Sequence, residues 1–320
     1  MTRRLRIATR PTELALRRSR AVQAMLEATG VTSELVIVRT AGDRHFAEPF
    51  QSAAARNVFT QELEDALVRR RADLAVHAYP DVPADPASGT TIAAVPRRGD
   101  PRDALVLNSL LEGTSPAELP RGTRLGTSSV RCRALLRALY PEIEVVQLRG
   151  DLPDRLRKVD DGQVHATIVS ADALHHLAVS QRIAGYLEPP AWLPAPAQAA
   201  LALQVRDDDG EAARMLAPLS DVRTLTDVTA ERKFFSALEG ALQSPVAALV
   251  VERDGARELH GMIADPDGRV LLRASHALDD TQPELAGIRL ANELRAQGAS
   301  RILDAVRRAE RVSTPQPDST

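Results

Sequence analysis

A three-domain α/β protein is predicted by three features of the 320-residue sequence. Short apolar, β-branched runs alternate with helix-period runs as far as about residue 205, the pattern of a parallel-rich α/β sheet. Two hinge-like segments, Arg97-Arg-Gly-Asp-Pro101 and the proline-rich stretch Pro189 to Pro196, bracket residues 101–190, which suits an α/β unit inserted into another with a cleft between. After about residue 218 the pattern changes to three alternating runs joined by Asp254-Gly255 and Asp267-Gly268, strong hairpin signals. The expected domains are 1–97 with 193–217, 98–192, and a small α+β unit with an antiparallel three-stranded sheet over 218–311. Residues 312–320 form a polar tail expected to be disordered.

The elements follow in order. Leu5 to Thr9 reads as a buried strand, Glu13 to Leu26 as a helix with Thr12 a plausible cap, and Glu34 to Arg39 as a second strand. Ala41 to Asn57 has no clear period and reads as a mobile loop. Phe59 to Arg70 is an amphipathic helix. Asp73 to His77 is a strand stopped by Pro80 and Pro83. Strands are expected at Thr91 to Val95, Ala104 to Leu107, Leu125 to Gly126, Glu144 to Leu148, His165 to Val169 and Leu201 to Val205, with a helix from Asp151 to Asp160. Helix Val228 to Leu242 leads to strands Ala247 to Arg253, Glu258 to Ala264 and Val270 to Ala277. Helices Glu284 to Arg295 and Ser300 to Arg308 close the chain.

Net charge is −2, so nothing global favours nucleic acid or a membrane surface. Cys132 is the only cysteine, which excludes an intrachain disulfide and a cysteine metal cluster. Lys158 and Lys233 are the only lysines, and arginine carries the remaining basic charge. No run is long and apolar enough to span a bilayer, and the opening residues lead straight into a strand, so a cytoplasmic monomer is expected.

Leu125-Gly-Thr-Ser-Ser-Val-Arg131 reads as a strand end, a tight turn and a helix start. Thr127, Ser128 and Ser129 offer hydroxyls where backbone N–H groups lack helical partners, which makes an anion site or an ordinary N-cap. Arg131 in the first turn opposes the helix dipole, so an external anion suits it. Asp81 follows a buried strand between prolines, as either a cleft carboxylate or a turn Asp bonding its own backbone. Arg10 and Arg149 end strands, and Arg155 lies a short way into the following helix. Together these residues suit a small polycarboxylate and a cationic intermediate.

In order along the chain, Arg6-Ile-Ala-Thr-Arg10, Leu14-Ala-Leu16, Glu62-Leu-Glu64, Arg71-Ala-Asp-Leu-Ala-Val-His77, Asp81-Val-Pro83, Asp100-Pro-Arg-Asp-Ala104, Gly126-Thr-Ser-Ser-Val-Arg131, Leu148-Arg-Gly150, Arg155-Leu156, Val228-Thr-Ala-Glu-Arg232, Leu238-Glu-Gly240 and Gln243-Ser-Pro245 resemble the porphobilinogen deaminase (hydroxymethylbilane synthase) family. The resemblance implies three domains, the first two like type-II periplasmic binding proteins with a cleft between them. It implies a transferase of tetrapyrrole biosynthesis that deaminates porphobilinogen and links the pyrroles on a dipyrromethane bonded to a cysteine. Carried over by matching positions, Asp81 is the catalytic carboxylate. Arg10, Thr12, Thr127, Ser128, Ser129, Arg131, Arg149, Arg155 and Gln198 are substrate-side groups.

Several positions depart from the family pattern. Leu242 stands at the cofactor cysteine, Pro80 at the lysine before the catalytic aspartate, and Cys132 at the second of two paired arginines. The Gly/Lys-rich loop is Ala53-Ala-Ala-Arg-Asn57, with Arg56 its evident cation, and the Gly-Gln-Gly turn is Ala197-Gln-Ala199. Leucine has no nucleophile, so no dipyrromethane and no other cofactor is expected. Cys132 shares an apolar face with Leu135, Leu136 and Leu139, where a small buried hydrophobe is the default. The favoured expectation is an enzyme that joins the azafulvene of an aminomethylpyrrole to an acceptor without a covalent cofactor, with a place in specialised metabolism. The alternatives are an ordinary hydroxymethylbilane synthase and a non-catalytic protein that binds a carboxylated small molecule.

Overall fold

The structure, a computed structural model, describes residues 3–44, 57–238 and 245–312. The Leu242 position, most of the 41–57 loop with Arg56, and the tail beyond 312 lie outside these residues.

The first unit holds β1 (Leu5–Thr9), α1 (Glu13–Ala28), β2 (Ser33–Ile37), a short α2 (Ala41–Arg44), α3 (Gln61–Val68), β3 (Leu74–Ala78) and β4 (Thr90–Ala94). Thr12 caps α1 as expected, its Oγ1 accepting from Ala15 N–H at 3.4 Å. The chain then crosses to a second unit with β5 (Asp103–Leu107), β6 (Arg124–Gly126), α4 (Val130–Leu139), β7 (Glu144–Val146), α5 (Leu152–Asp160), β8 (Ala166–Ser170), α6 (Ala171–His176) and β9 (Gly185–Leu187). It returns as β10 (Leu201–Arg206), which completes the first sheet in the order β2-β1-β3-β10-β4, while the second is ordered β7-β6-β8-β5-β9.

Both five-stranded sheets are mixed, where strand–helix alternation predicts a parallel-rich sheet. β1 runs parallel to β2 and β3, and β6 parallel to β7 and β8. β10 and β5, each entered directly from the other unit, run antiparallel to both their neighbours. A strand that arrives from a neighbouring unit has no crossover helix of its own to set it parallel.

After α7 (Gly210–Leu216) comes α8 (Val222–Ala237). It starts six residues before the expected Val228, because Asp221 caps it by accepting from Thr224 N–H at 2.7 Å. The exposed Val222 and Leu225 hide that first turn from any apolar periodicity. The third unit is the antiparallel sheet β11 (Val246–Arg253), β12 (Ala256–Ala264) and β13 (Leu271–Ala277), backed by α9 (Pro283–Ala296) and α10 (Ala299–Val312).

Apolar burial joins these units. Cys132, Leu135 and Leu136 of α4 share a core with Leu249, Met262 and Ala264 of the third sheet. Full burial of a leucine is worth about 1.5–3 kcal/mol, so this contact sets where the third unit sits. Leu139 lies at the exposed edge of that helix, outside the buried face expected of it. Glu231 of α8 is fully buried and binds all three parts of the chain. It accepts from Arg98 Nη1 and Nη2 at 2.7 and 2.9 Å, from Ala197 N–H at 2.7 Å and from Val250 N–H at 3.1 Å. A buried carboxylate is tolerable only with its lone pairs taken in this way. Among the described residues no helix is long and apolar enough to cross a membrane.

Candidate active site in the cleft between the two sheets

A cavity of about 500 Å³ opens between the two five-stranded sheets and reaches the third unit. Asp81 comes from the first unit, Thr127 to Cys132, Arg149 and Arg155 from the second, and Arg232 and Phe235 from α8.

Asp81 ends a 3-10 turn, Tyr79–Asp81, that begins as soon as β3 stops. Pro80 restricts the backbone there and supplies neither an N–H nor a charge. Tyr79 N–H donates to the Ala200 carbonyl at 3.0 Å. Arg232 donates to the carbonyls of Tyr79 at 3.2 Å, Val82 at 3.0 Å and Pro83 at 2.7 Å, its guanidinium 4.5 Å above the Tyr79 ring. Asp81 is thus presented on a turn fixed from two sides. Burial pushes its carboxyl above the usual range, against the opposing charges of Arg10 and Arg18.

The opposite wall is the start of α4. Ser129 Oγ accepts from Cys132 N–H at 3.2 Å, and Thr127 Oγ1 from Ser129 N–H at 3.1 Å. These hydroxyls therefore shape the turn as well as line the cleft. Ser128 is exposed to it, and Val130 and Arg131 N–H have no acceptor within the helix by their position. Arg131 is anchored at the wall, donating to Asp103 Oδ2 at 2.7 Å and the Leu193 carbonyl at 2.9 Å. Burial works against its charge, but Asp103 more than restores it and holds the guanidinium above its ordinary value. Asp103 also accepts from Trp192 Nε1 at 2.7 Å and Gln198 Nε2 at 2.8 Å. Gln198 faces the cleft mainly as part of this network.

Arg155 differs from Arg131. Its Nε is buried without a hydrogen-bond partner among the described residues, and burial lowers its pKa despite Asp151. Such a donor calls for an incoming acceptor. Arg149 lines the same wall beside Gln147, whose amide oxygen accepts from Arg149 Nε and Nη2 at 3.2 and 3.1 Å.

Arg10 and Thr12 are placed apart from the main cleft. They line a side chamber of about 50 Å³, shared with Asp81, His77 and Arg18. Arg10 bonds Asp43 Oδ1 at 2.6 Å and stands 4.3 Å over the Phe59 ring. Cys132 belongs both to the apolar core and to the cleft wall, and burial pushes its thiol up. The sequence reading left Arg232, Arg18 and Phe235 out of the site. The Thr-Ala-Glu-Arg232 motif was a signal for Arg232, but only folding brings α8 beneath the Asp81 turn.

Residues 5–214 match the family profile described as porphobilinogen deaminase, dipyromethane cofactor binding domain, and residues 225–296 match the porphobilinogen deaminase C-terminal domain. The chain belongs to the porphobilinogen deaminase family. A protein named porphobilinogen deaminase from Syntrophobacter fumaroxidans is 42% identical over 95% of this chain and 98% of its own length. One of the same name from Syntrophotalea carbinolica is 38% identical over 94% and 96%. A third, from Acidithiobacillus ferrooxidans, is 39% identical over 97% and 100%. A solved methionine-binding protein covers 68% of this chain and 89% of its own at 11% identity, with a TM-score of 0.41. As a porphobilinogen deaminase family member the chain is a transferase of the hydroxymethylbilane synthase type.

The expectation that no dipyrromethane is held is corrected by this match. The profile over residues 5–214 is that of the cofactor-binding domain itself. Leu242 removes a nucleophile at one position, but not the arginines of the cleft, which are the residue type that pairs with a dipyrrole's carboxylates. The residues present fit such a group. The buried donor at Arg155 Nε has no acceptor among the described residues, and the cavity of about 500 Å³ has room for two pyrrole rings.

Proposed function

We propose that this porphobilinogen deaminase family member deaminates porphobilinogen, or an aminomethylpyrrole close to it, and joins the product to an acceptor pyrrole in the same cleft. The observation that carries this reading is the pairing of one pinned carboxylate, Asp81, with arginines on the facing wall.

The substrate's acetate and propionate groups are read by Arg149 and Arg155, with the start of α4 as a further anion site. This sets the ring beside Asp81. The pyrrole nitrogen lone pair expels the protonated aminomethyl nitrogen (–NH3+) as ammonia, breaking the C–N bond and leaving an azafulvene with the positive charge now at the ring nitrogen. Asp81, fixed and shielded, stabilises that charge without reorganising. The free α-carbon of the acceptor attacks the exocyclic methylene, a C–C bond forms, and loss of the α-proton restores aromaticity. A dipyrromethane, when bound, supplies the first acceptor pyrrole. Arg131, Arg149 and Arg155 would hold its carboxylates.

The test is ammonia release from porphobilinogen with product masses read alongside. Wild type should release ammonia and yield linked pyrroles, and Asp81→Asn should lose turnover with its fold intact. A wild-type protein that releases no ammonia above the uncatalysed rate, or an Asp81→Asn variant as active as wild type, would sink the reading.

A further inference from the structure

We propose that Arg18 is a positioning residue for Asp81: bonded to Asp172 across the junction of the two α/β units, it is held where its charge faces the Asp81 carboxylate. The proposal rests on the reading of Asp81 given above.

Arg18 lies on α1 of the first unit and Asp172 on α6 of the second. Arg18 Nη2 donates to Asp172 Oδ2 at 2.7 Å, with the side chains only 13% and 7% exposed, so solvent screens the pair little. Asp172 sits there because residue 99 has no side chain: a Cβ on Gly99 would stand 2.2 Å from Asp172 Oδ1. Gly99 N–H in turn donates to the Ala199 carbonyl at 3.1 Å. The ion pair therefore lies over the crossing of the two segments that connect the units, and it fastens the first unit to the second at that point.

At its other side Arg18 lines the small chamber that also contains Asp81. Its Nε is buried without a hydrogen-bond partner among the described residues, so a donor remains after Asp172 is satisfied. The chamber, at about 50 Å³, has room for a bridging water, whose share of liquid volume is about 30 Å³.

Arg10, which lines the same chamber, is the other cation acting on the Asp81 charge, and it also bonds Asp43 and stands over the Phe59 ring. His77 is driven down to about 4 by burial and stays neutral. Pro80, next to Asp81, carries no charge. On the Asp172 side, His176 Nε2 lies 3.5 Å from Oδ1 and burial lowers its pKa, while Arg17 bonds Glu13 at 2.7 Å and the His176 carbonyl at 3.4 Å. His175 is the remaining titratable group of α6. Arg18 is thus a cation placed from α1 where the residue before Asp81 has none.

The test is a titration of the Asp81 carboxyl in the full chain by carbon NMR with carboxyl-labelled aspartate, its signal assigned by loss in Asp81→Asn. Arg18→Gln should move the Asp81 midpoint to higher pH, since a nearby cation favours the ionised form. Arg18→Lys should keep the midpoint close to wild type. In parallel, Arg18→Gln should lower kcat for ammonia release several-fold with little change in KM, and Arg18→Lys should recover part of it. Arg18→Met serves the same comparison if the amide variant does not fold. A folded charge-free variant with an unmoved Asp81 midpoint overturns the proposal. Absence of ammonia release by wild type would instead sink the functional reading, with the NMR midpoints still deciding the role of Arg18.

Discussion

Arg232 Nη2 donates to the Pro83 carbonyl at 2.7 Å, so a helix of the third sheet's neighbourhood holds the turn that presents Asp81. Two further carbonyls of that turn, Tyr79 and Val82, accept from the same guanidinium. Arg232→Ala removes a donor from three carbonyls, of which that of Tyr79 keeps Val82 N–H at 3.1 Å, and should cost about 1–3 kcal/mol of stability. Its effect on kcat should exceed its effect on KM, because the ligand-side arginines remain. Arg232→Lys should restore stability more than kcat, since a point charge does not reproduce a planar fork. Thermal melts and steady-state ammonia release check both.

Asp81 should show opposite pH signs for activity and stability. Burial raises its folded pKa above the unfolded value. Its contribution to stability is therefore fully present below the ordinary aspartate range and lost as pH rises through the raised value. Asp81→Asn should melt above wild type at neutral pH, with the gap closing as pH falls below the ordinary range. Turnover by wild type should fall as pH drops through the raised value, because the ionised form does the work. Melts across pH, set beside a rate profile, test the pair of signs.

Arg155 and Arg121 make a contrast for ligand binding. Arg155 has a buried donor without a partner among the described residues, while Arg121 is 86% exposed and pairs with Glu142 on the surface. Removing the buried partner of a ligand carboxylate typically costs about 2–5 kcal/mol. Arg155→Ala should weaken calorimetric binding of a carboxylated pyrrole by that amount, and Arg121→Ala should leave it unchanged. Equal small losses would place the ligand elsewhere.

Ala199 has a positive φ of 65° and is partly exposed. Left-handed backbone costs a non-glycine residue roughly 1–2 kcal/mol, partly offset by the greater unfolded-state entropy of glycine. Ala199→Gly should stabilise the protein by about 0.5–1 kcal/mol. The buried Ala197, at φ 60°, should gain less because its methyl is packed. Denaturant midpoints distinguish the two.

Glu231→Ala should be the most destabilising of these changes, at about 3–5 kcal/mol, because it leaves the Arg98 guanidinium buried without its carboxylate. Glu231→Gln should keep the shape and still lose much of that stability. Urea unfolding measures both.

Much of the fold was legible in the chain because periodicity and capping are local. Thr12 before α1, Asp151 before α5 and the Asp-Gly turns of the third sheet sit where their own neighbours require them. The order of motifs likewise identified the family, and with it the cleft and its residue types. The sequence alone also determined what is chemically available: one thiol, a carboxylate between prolines, and arginine as nearly all the basic charge. Tertiary structure decided which of these groups face a ligand and which are already engaged. Arg10 and Arg131 look alike in sequence, yet one bonds Asp43 and the other Asp103, while Arg155 keeps a buried donor that no described residue takes up. Arg232 and Arg18 reach the surroundings of Asp81 only because α8 and α1 pack against its turn. The start of α8 was missed because the Asp221 cap lies before exposed apolar residues, and the antiparallel β5 and β10 because their direction is set by a crossing between units. The physical reason is common to all of these. Pairing between residues distant in sequence depends on burial and on where partners arrive, and neither is encoded in spacing along the chain.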